Sequence, residues 1–237
     1  MLMSFLRKKY IARVLMFGVI VVFITGTFAF GHSIARYGIL ILLSYLIGAI
    51  PFGYITGKLW KGIDVREHGS GNIGFTNVLR VVGTVPGFIV MILDISKGVV
   101  AVVGIAKLGE INLTVLPVLC GIAAIIGHNW TIYLDFKGGK GIDTTIGVFI
   151  ALNPIATLVS LVVWAIAVKI TRYVSLGSIL FVICLPIAIF LINLVSKQYI
   201  TTVLVAAIFA MVFAVYKHRS NIERLLNGTE HKIGQKE

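Results

Sequence analysis

Of 237 residues, 58% are hydrophobic and only 13% are charged, with a mean hydropathy of +1.01. Soluble domains carry about 25% charged residues, so a water-soluble globular protein is excluded. The net charge of +12 is scattered between apolar runs rather than gathered on one polar surface, which argues against a nucleic acid partner.

Seven apolar runs follow in chain order, at 14–30, 37–57, 81–106, 111–134, 144–168, 173–196 and 198–216. Each meets the length of roughly 17–25 residues that a bilayer requires. Little chain is left for a soluble domain. The expectation is an all-α, polytopic transmembrane helical bundle of about seven core helices, some short or broken, plus an extra N-terminal helix. Residues 1–35 read as a basic leader, MLMSFLRKKYIAR, with an apolar segment behind it. TFA at 27–29 resembles a small-residue cleavage site, but the run is long for a signal core, which favours an uncleaved anchor. Residues 36–237 then form the membrane domain. Cys120 and Cys184 fall inside apolar runs and read as buried free thiols.

With the N-terminus inside, the loops holding Lys58, Lys61, Arg66 and Arg80, and then Lys137 and Lys140, both face the cytosol. Three simple crossings after that would leave the tail outside. Yet the tail holds Lys217, Arg219 and Arg224, and the connector 169–172 holds Lys169 and Arg172. The conflict resolves if 144–168 enters and returns, turning at Asn153-Pro154, with two arms each about 15–20 Å long. Four polar clusters, 66–80, 135–143, 169–178 and 217–231, then share one face.

GSGNIG at 69–74 matches G-x-G-x-x-G, with Asp94 about twenty residues on. A dinucleotide site needs a strand and a βαβ unit around it, and here membrane spans flank it. The underlying chemistry remains: glycines let an anion approach backbone N–H groups. Ser70, Asn72, Thr76 and Asn77 add neutral donors, and Arg80 can grip phosphate through two N–H bonds. KGGKG at 137–141 repeats this pattern before a helix with Thr144 and Thr145 in its first turn. It is no P-loop, because Gly141 follows Lys140 where Ser or Thr should stand. His128 ends an apolar helix, where hydrogen-bonded structure is the commoner role. Asp94 and Lys97 are three apart on one helical face and read as a structural pair. No metal-ligand spacing and no Gly-x-Ser-x-Gly elbow is present.

Several motifs in order resemble the bacterial acyl-phosphate-dependent glycerol-3-phosphate acyltransferases. They are LIGAIPFG at 46–53, GSGNIGFTNVLR at 69–80, DISKG at 94–98, GHNWTIYLDFKGGKGIDT at 127–144, RYVSLGSI at 172–179 and YKHRSNIERLLNGTEHKIG at 216–234. The resemblance implies transfer of a fatty acyl group from acyl phosphate to the 1-hydroxyl of sn-glycerol 3-phosphate, without a cofactor or metal. It implies Ser70, Arg80, Lys140, His218 and Asn221 as the catalytic set. Gly69, Gly71, Asn72, Thr76, Asn77, Lys137, Gly138, Gly139, Gly141, Ser178 and His128 are then expected to bind substrate. Asp94, Lys97 and Glu230 are expected to be structural. The implied partners are glycerol 3-phosphate, the bilayer, and a soluble enzyme that forms the acyl phosphate and makes transient contact. The implied place is the bacterial inner membrane, with the site facing the cytosol. Phe75, Thr131 and Asp143 depart from the residues common in this family, and the first 35 or so residues exceed its usual length.

Two phosphate-bearing substrates must meet in such a site. As dianions about 5 Å apart they repel by about 3 kcal/mol in water and about 13 kcal/mol at an effective dielectric of about 20. Several cations should therefore converge, with Arg80 and Lys140 foremost and His218 a third when protonated. Acyl phosphate has a good leaving group, and no Ser–His–Asp set is present, so direct attack by the hydroxyl is expected. Backbone N–H groups or Asn72 would stabilise the oxyanion. The base is His218 or a substrate phosphate oxygen. The alternative is a transporter of a phosphorylated solute, which needs basic residues along a path to both faces. A non-catalytic lipid-binding protein would leave the paired glycine loops without a purpose. Acyl-CoA-dependent acyltransferases carry His-x4-Asp, and His128 to Asp135 has the wrong spacing.

Overall fold

The computed structural model describes residues 34–109, 115–197 and 201–234, so all but the end of the expected N-terminal segment lies outside the described residues. Every regular element among them is helical, as the composition required. α1 (Ile34–Ala49) breaks at Ile50-Pro51 and resumes as α2 (Phe52–Lys61). Proline lacks an N–H and biases its predecessor away from the helix. The carbonyls freed there are taken by side chains: Lys97 Nζ donates to Ile50 O (3.2 Å) and Thr131 Oγ1 to Ala49 O (2.5 Å). Thr131 therefore has a hydrogen-bonding role of its own.

After a 3-10 turn at Val65–Glu67 come α3 (Phe75–Val81) and α4 (Thr84–Val99), which loosens into a π turn over Val100–Ile105. Phe75 packs its ring against Phe88 at 5.4 Å, pinning α3 to α4. α5 (Val115–Asn129) returns to the starting face and leads through a 3-10 turn at Ile132–Leu134 into the second glycine loop. The rest of the bundle is α6 (Ile142–Leu152), α7 (Pro154–Thr171), α8 (Val174–Ser196), α9 (Thr201–Lys217) and α10 (Arg219–Leu226). Five units are long and apolar enough to cross a membrane: Ala35–Lys61, Thr84–Ile105, Val115–Leu134, α7 and α8. α9 makes a sixth when joined to α10, against which it bends by 58°.

The Asn-Pro turn forms where expected. Pro154 opens α7 and Asn153 accepts the Ala156 amide at 3.1 Å, capping the helix. The α6–α7 pair begins and ends on one face: Lys140 hydrogen-bonds Asn221, and Arg172 Nη2 reaches Ile233 O at 2.9 Å. Asn221 and Ile233 belong to the same C-terminal segment. One expectation is corrected, since the arms are unequal. α6 is about 16 Å long, but α7 runs on to Thr171 and reaches about 27 Å, because nothing after Pro154 breaks it before Arg172 turns left-handed (φ 64°).

Small residues let the helices touch. A side chain at Gly147 would strike the backbone of Ile95, and one at Gly98 that of Thr144, so α4 and α6 meet backbone to backbone. Val148, Phe149, Phe181, Leu185 and Ile189 fill the core between α6 and α8, with Ala206, Ala207 and Ala210 of α9. The exposed Ile155, Leu158, Val162, Ile166 and Ile170 of α7 suit lipid.

Candidate active site

At the polar face a cavity of about 230 Å³ opens between the two glycine loops and the start of α10. Ser70, Gly71 and Asn72 line one side, Gly138 and Lys140 another, and Lys217, Arg219, Ser220 and Arg224 the third.

Each loop ties up some of its own amides and leaves others open. In the first, the amides of Ser70, Gly71 and Gly74 already donate to Asn77 Oδ1 (2.8 Å), His68 O (3.0 Å) and Asn72 Oδ1 (2.9 Å). Asn77 is buried and also donates to Val65 O (2.9 Å), His68 O (3.1 Å) and Asn72 O (2.8 Å). These bonds fold the loop, and Asn77 does not line the cavity. Gly69 and Gly71 take positive φ, 56° and 67°, to make the turn. The amides of Gly69, Asn72 and Ile73 have no protein acceptor among the described residues, and Ser70, Gly71 and Asn72 line the cavity. In the second loop the Gly139 amide donates to His128 O at 3.0 Å, while those of Gly138, Lys140 and Gly141 have no protein acceptor among the described residues. Both loops therefore carry amides without a protein partner among the described residues.

Lys140 hydrogen-bonds Asn221 Oδ1. Asn221 is oriented by Glu230, whose Oε1 accepts from Asn221 Nδ2 (2.7 Å) and from Ser175 Oγ (2.6 Å). Glu230 Oε2 takes Arg224 Nε at 2.7 Å. Burial pushes the Glu230 carboxyl up, but hydrogen bonds from Ser175, Asn221 and Arg224 more than offset it and hold it below its ordinary value. Burial lowers Lys140 to about 8; Glu230 pulls it back up, while Arg224, Lys217 and Arg80 push it further down. Arg80, expected with Lys140 as a foremost cation, does not line the cavity; its stem lies beside Gly69 and its charge acts on Lys140 from there.

Other expected residues stand off the cavity. Ser178 donates its hydroxyl to Val174 O (2.9 Å) in its own helix, and Ser175, one turn earlier, is the serine that reaches Glu230. His218 lies just past the end of α9 and donates Nδ1–H to Ala214 O at 2.7 Å. Burial first, and then the Lys140 ammonium, hold its pKa below the ordinary imidazole value, so it is no third cation. Thr76 and Lys137 do not line the cavity, and Gly141 (φ 81°) packs against Asn129 as α6 begins. His128 is buried beneath Gly139, against Lys97. Asp143 acts on Asp94 and Lys97, away from the cavity. Lys217, Arg219, Ser220 and Arg224 were not expected here, their charges having been read as topology signals. Lys217 is aimed by a bond to Asn129 O (2.9 Å) and by the Trp130 ring, 5.3 Å away. The signal was the basic repeat within 217–224, on the last turn of one helix and the first two of the next.

Fold and site define a polytopic membrane protein with a cavity lined by cations on one polar face. The glycerol-3-phosphate acyltransferase family profile matches residues 38–228. The glycerol-3-phosphate acyltransferase of Desulforamulus reducens is 50% identical over 197 residues, covering 83% of this chain and 95% of that protein. That of Halalkalibacterium halodurans is 46% identical over 200 residues, covering 84% and 96%. The crystal structure of PlsY (YgiH), an integral membrane glycerol 3-phosphate acyltransferase, in its glycerol 3-phosphate form is 38% identical, with a TM-score of 0.76 over 84% of this chain and 96% of that one. Its lysophosphatidic acid form matches with a TM-score of 0.74. The chain belongs to the glycerol-3-phosphate acyltransferase family, as an integral membrane enzyme, and the transporter alternative is set aside.

Proposed function

We propose that this enzyme transfers a fatty acyl group from acyl phosphate to the 1-hydroxyl of sn-glycerol 3-phosphate, releasing 1-acyl-sn-glycerol 3-phosphate and inorganic phosphate. The observation that carries this is the convergence of Lys140, Lys217, Arg219 and Arg224 on one cavity beside Ser70. Arg224 is paired with Glu230, which leaves three cations, more than one phosphate dianion needs and suited to two mutually repelling phosphates. The glycerol 3-phosphate and lysophosphatidic acid forms of PlsY supply the acceptor and the product by similarity.

The acceptor oxygen attacks the acyl carbon, the bond from that carbon to the phosphate oxygen breaks, and phosphate leaves with the electron pair. The hydroxyl proton passes to a phosphate oxygen or to His218 Nε2, the nitrogen left as acceptor because Nδ1 donates to Ala214. Ser70 and the open amides of the second loop hold the charge that develops on oxygen. The acyl chain enters from the bilayer, and glycerol 3-phosphate from the cytosol, where the basic loops lie. The donor comes from a soluble enzyme that makes acyl phosphate, in transient contact with the bacterial inner membrane.

Purified enzyme with glycerol 3-phosphate should form lysophosphatidate from palmitoyl phosphate and none from palmitoyl-CoA. Product from the thioester alone would overturn the donor assignment. His218→Ala should lower turnover about a hundredfold with substrate affinity unchanged if the imidazole takes the proton. Near-normal turnover would assign that proton to phosphate.

A further inference from the structure

Asp94, Lys97 and His128 stand outside the cavity but directly behind one of its walls. Lys97 Nζ lies 2.7 Å from Asp94 Oδ1 and 2.8 Å from His128 Nδ1. Their exposures are 1% for Asp94, 3% for Lys97 and 4% for His128, so solvent scarcely reaches them. Nδ1 also lies 3.6 Å from Asp94 Oδ1, beyond hydrogen-bond length, so with Lys97 as an ammonium, which only donates, Nδ1 accepts and the ring proton sits on Nε2. That Nε2 is turned to the second glycine loop: a Cβ at Gly139 would collide with it, and a Cβ at Gly138 with the His128 carbonyl. The same carbonyl accepts the Gly139 amide at 3.0 Å. Two glycines thus lie flat on one histidine whose orientation is set from behind by a lysine. Buried charges in a membrane bundle are costly, and apolar side chains would pack α4 against α5 at lower cost.

We propose that Asp94, Lys97 and His128 form a positioning network: Lys97 fixes the ring orientation and tautomer of His128, and His128 holds Gly138 and Gly139 so that Lys140 and the open amides face a substrate phosphate. This rests on the phosphate-binding reading given above. Removing one charge alone would strand the other, so the informative variant is Asp94→Asn with Lys97→Met, which removes both. In detergent this double variant should still fold, with a lower thermal midpoint because Ile50 O loses the Lys97 bond. Amide hydrogen exchange over residues 137–141 should speed up by about tenfold or more. KM for glycerol 3-phosphate should rise about tenfold while kcat changes far less, because a displaced loop weakens binding first. A folded double variant with unchanged exchange and unchanged KM overturns the proposal. If the double variant does not fold, His128→Phe keeps the ring volume without its nitrogens; faster exchange over the loop supports the network and unchanged exchange overturns it. Exchange needs no substrate, so a wild-type enzyme that failed to acylate would defeat the functional reading and leave this test decisive.

Discussion

Lys140 is the residue whose charge state the cavity controls most directly. Its pKa of about 8 is low because burial disfavours the ammonium and Arg224, Lys217 and Arg80 crowd it, Glu230 alone opposing them. Only the protonated form attracts a phosphate, and glycerol 3-phosphate is already a dianion above about pH 7, since phosphate loses its second proton near pH 6. The binding-competent fraction is therefore nearly full below about pH 7, about half at pH 8, and approaches a roughly tenfold fall per unit above about pH 9. KM for glycerol 3-phosphate should climb in proportion between pH 8 and 9.5 in initial-rate measurements. Lys140→Arg keeps its charge throughout and should flatten that limb, whatever it does to the rate at pH 7. Asn221 and Glu230 give a second test. Glu230 turns the Asn221 amide so that its oxygen meets Lys140, so the two act through one contact. Asn221→Ala and Glu230→Gln should each lower kcat/KM by about tenfold or more, and the double variant should lose little beyond the worse single one. Additive losses would separate their roles.

At the scale of elements, close backbone contact sets the distance between α4 and α6, and with it the floor of the site. Gly147 lies against Ile95 O, and no side chain can enter without parting the helices. Gly147→Val should cost about 1–3 kcal/mol or more, read as a lower thermal midpoint in detergent, and should weaken substrate binding because α6 carries the loop that holds Lys140. The spans were legible in the sequence because long apolar runs have few alternatives in a bilayer. So were the breaks, because Pro51 and Asn153-Pro154 act through local chemistry. The two glycine loops were legible as a pair, but not which of their amides the fold ties up. Nothing in GSGNIG says that Asn77, on the following helix, takes up the Ser70 amide. That Ser175 and not Ser178 meets Glu230 depends on how the tail folds back over α8, a contact 55 residues apart in sequence. Lys217 and Arg224 were read as topology signals because a basic residue at a span end has that ordinary role; only the bend between α9 and α10 turns them inward.

Across the whole molecule, the short arm α6 is what restores parity. It lets α7 return to the face from which α6 left, and so brings the loop of Lys140 and the C-terminal segment together. Were 142–171 a single crossing, these would lie about 30 Å apart, the thickness of the hydrocarbon core, and no cavity could join them. The turn at Lys107, where Arg36 bonds Leu108 O, falls between α4 and α5 at the opposite end of the bundle. Single cysteines at Lys137, Lys232 and Lys107 therefore test the architecture directly, in a chain whose Cys120 and Cys184 are replaced by Ala. A membrane-impermeant maleimide should label positions 137 and 232 only in inverted vesicles, and position 107 only from outside intact cells. Labelling of 137 and 232 from opposite sides would break the bundle as described. Labelling of both from outside would keep the bundle but turn the site away from the cytosol, where the positive-inside bias places it.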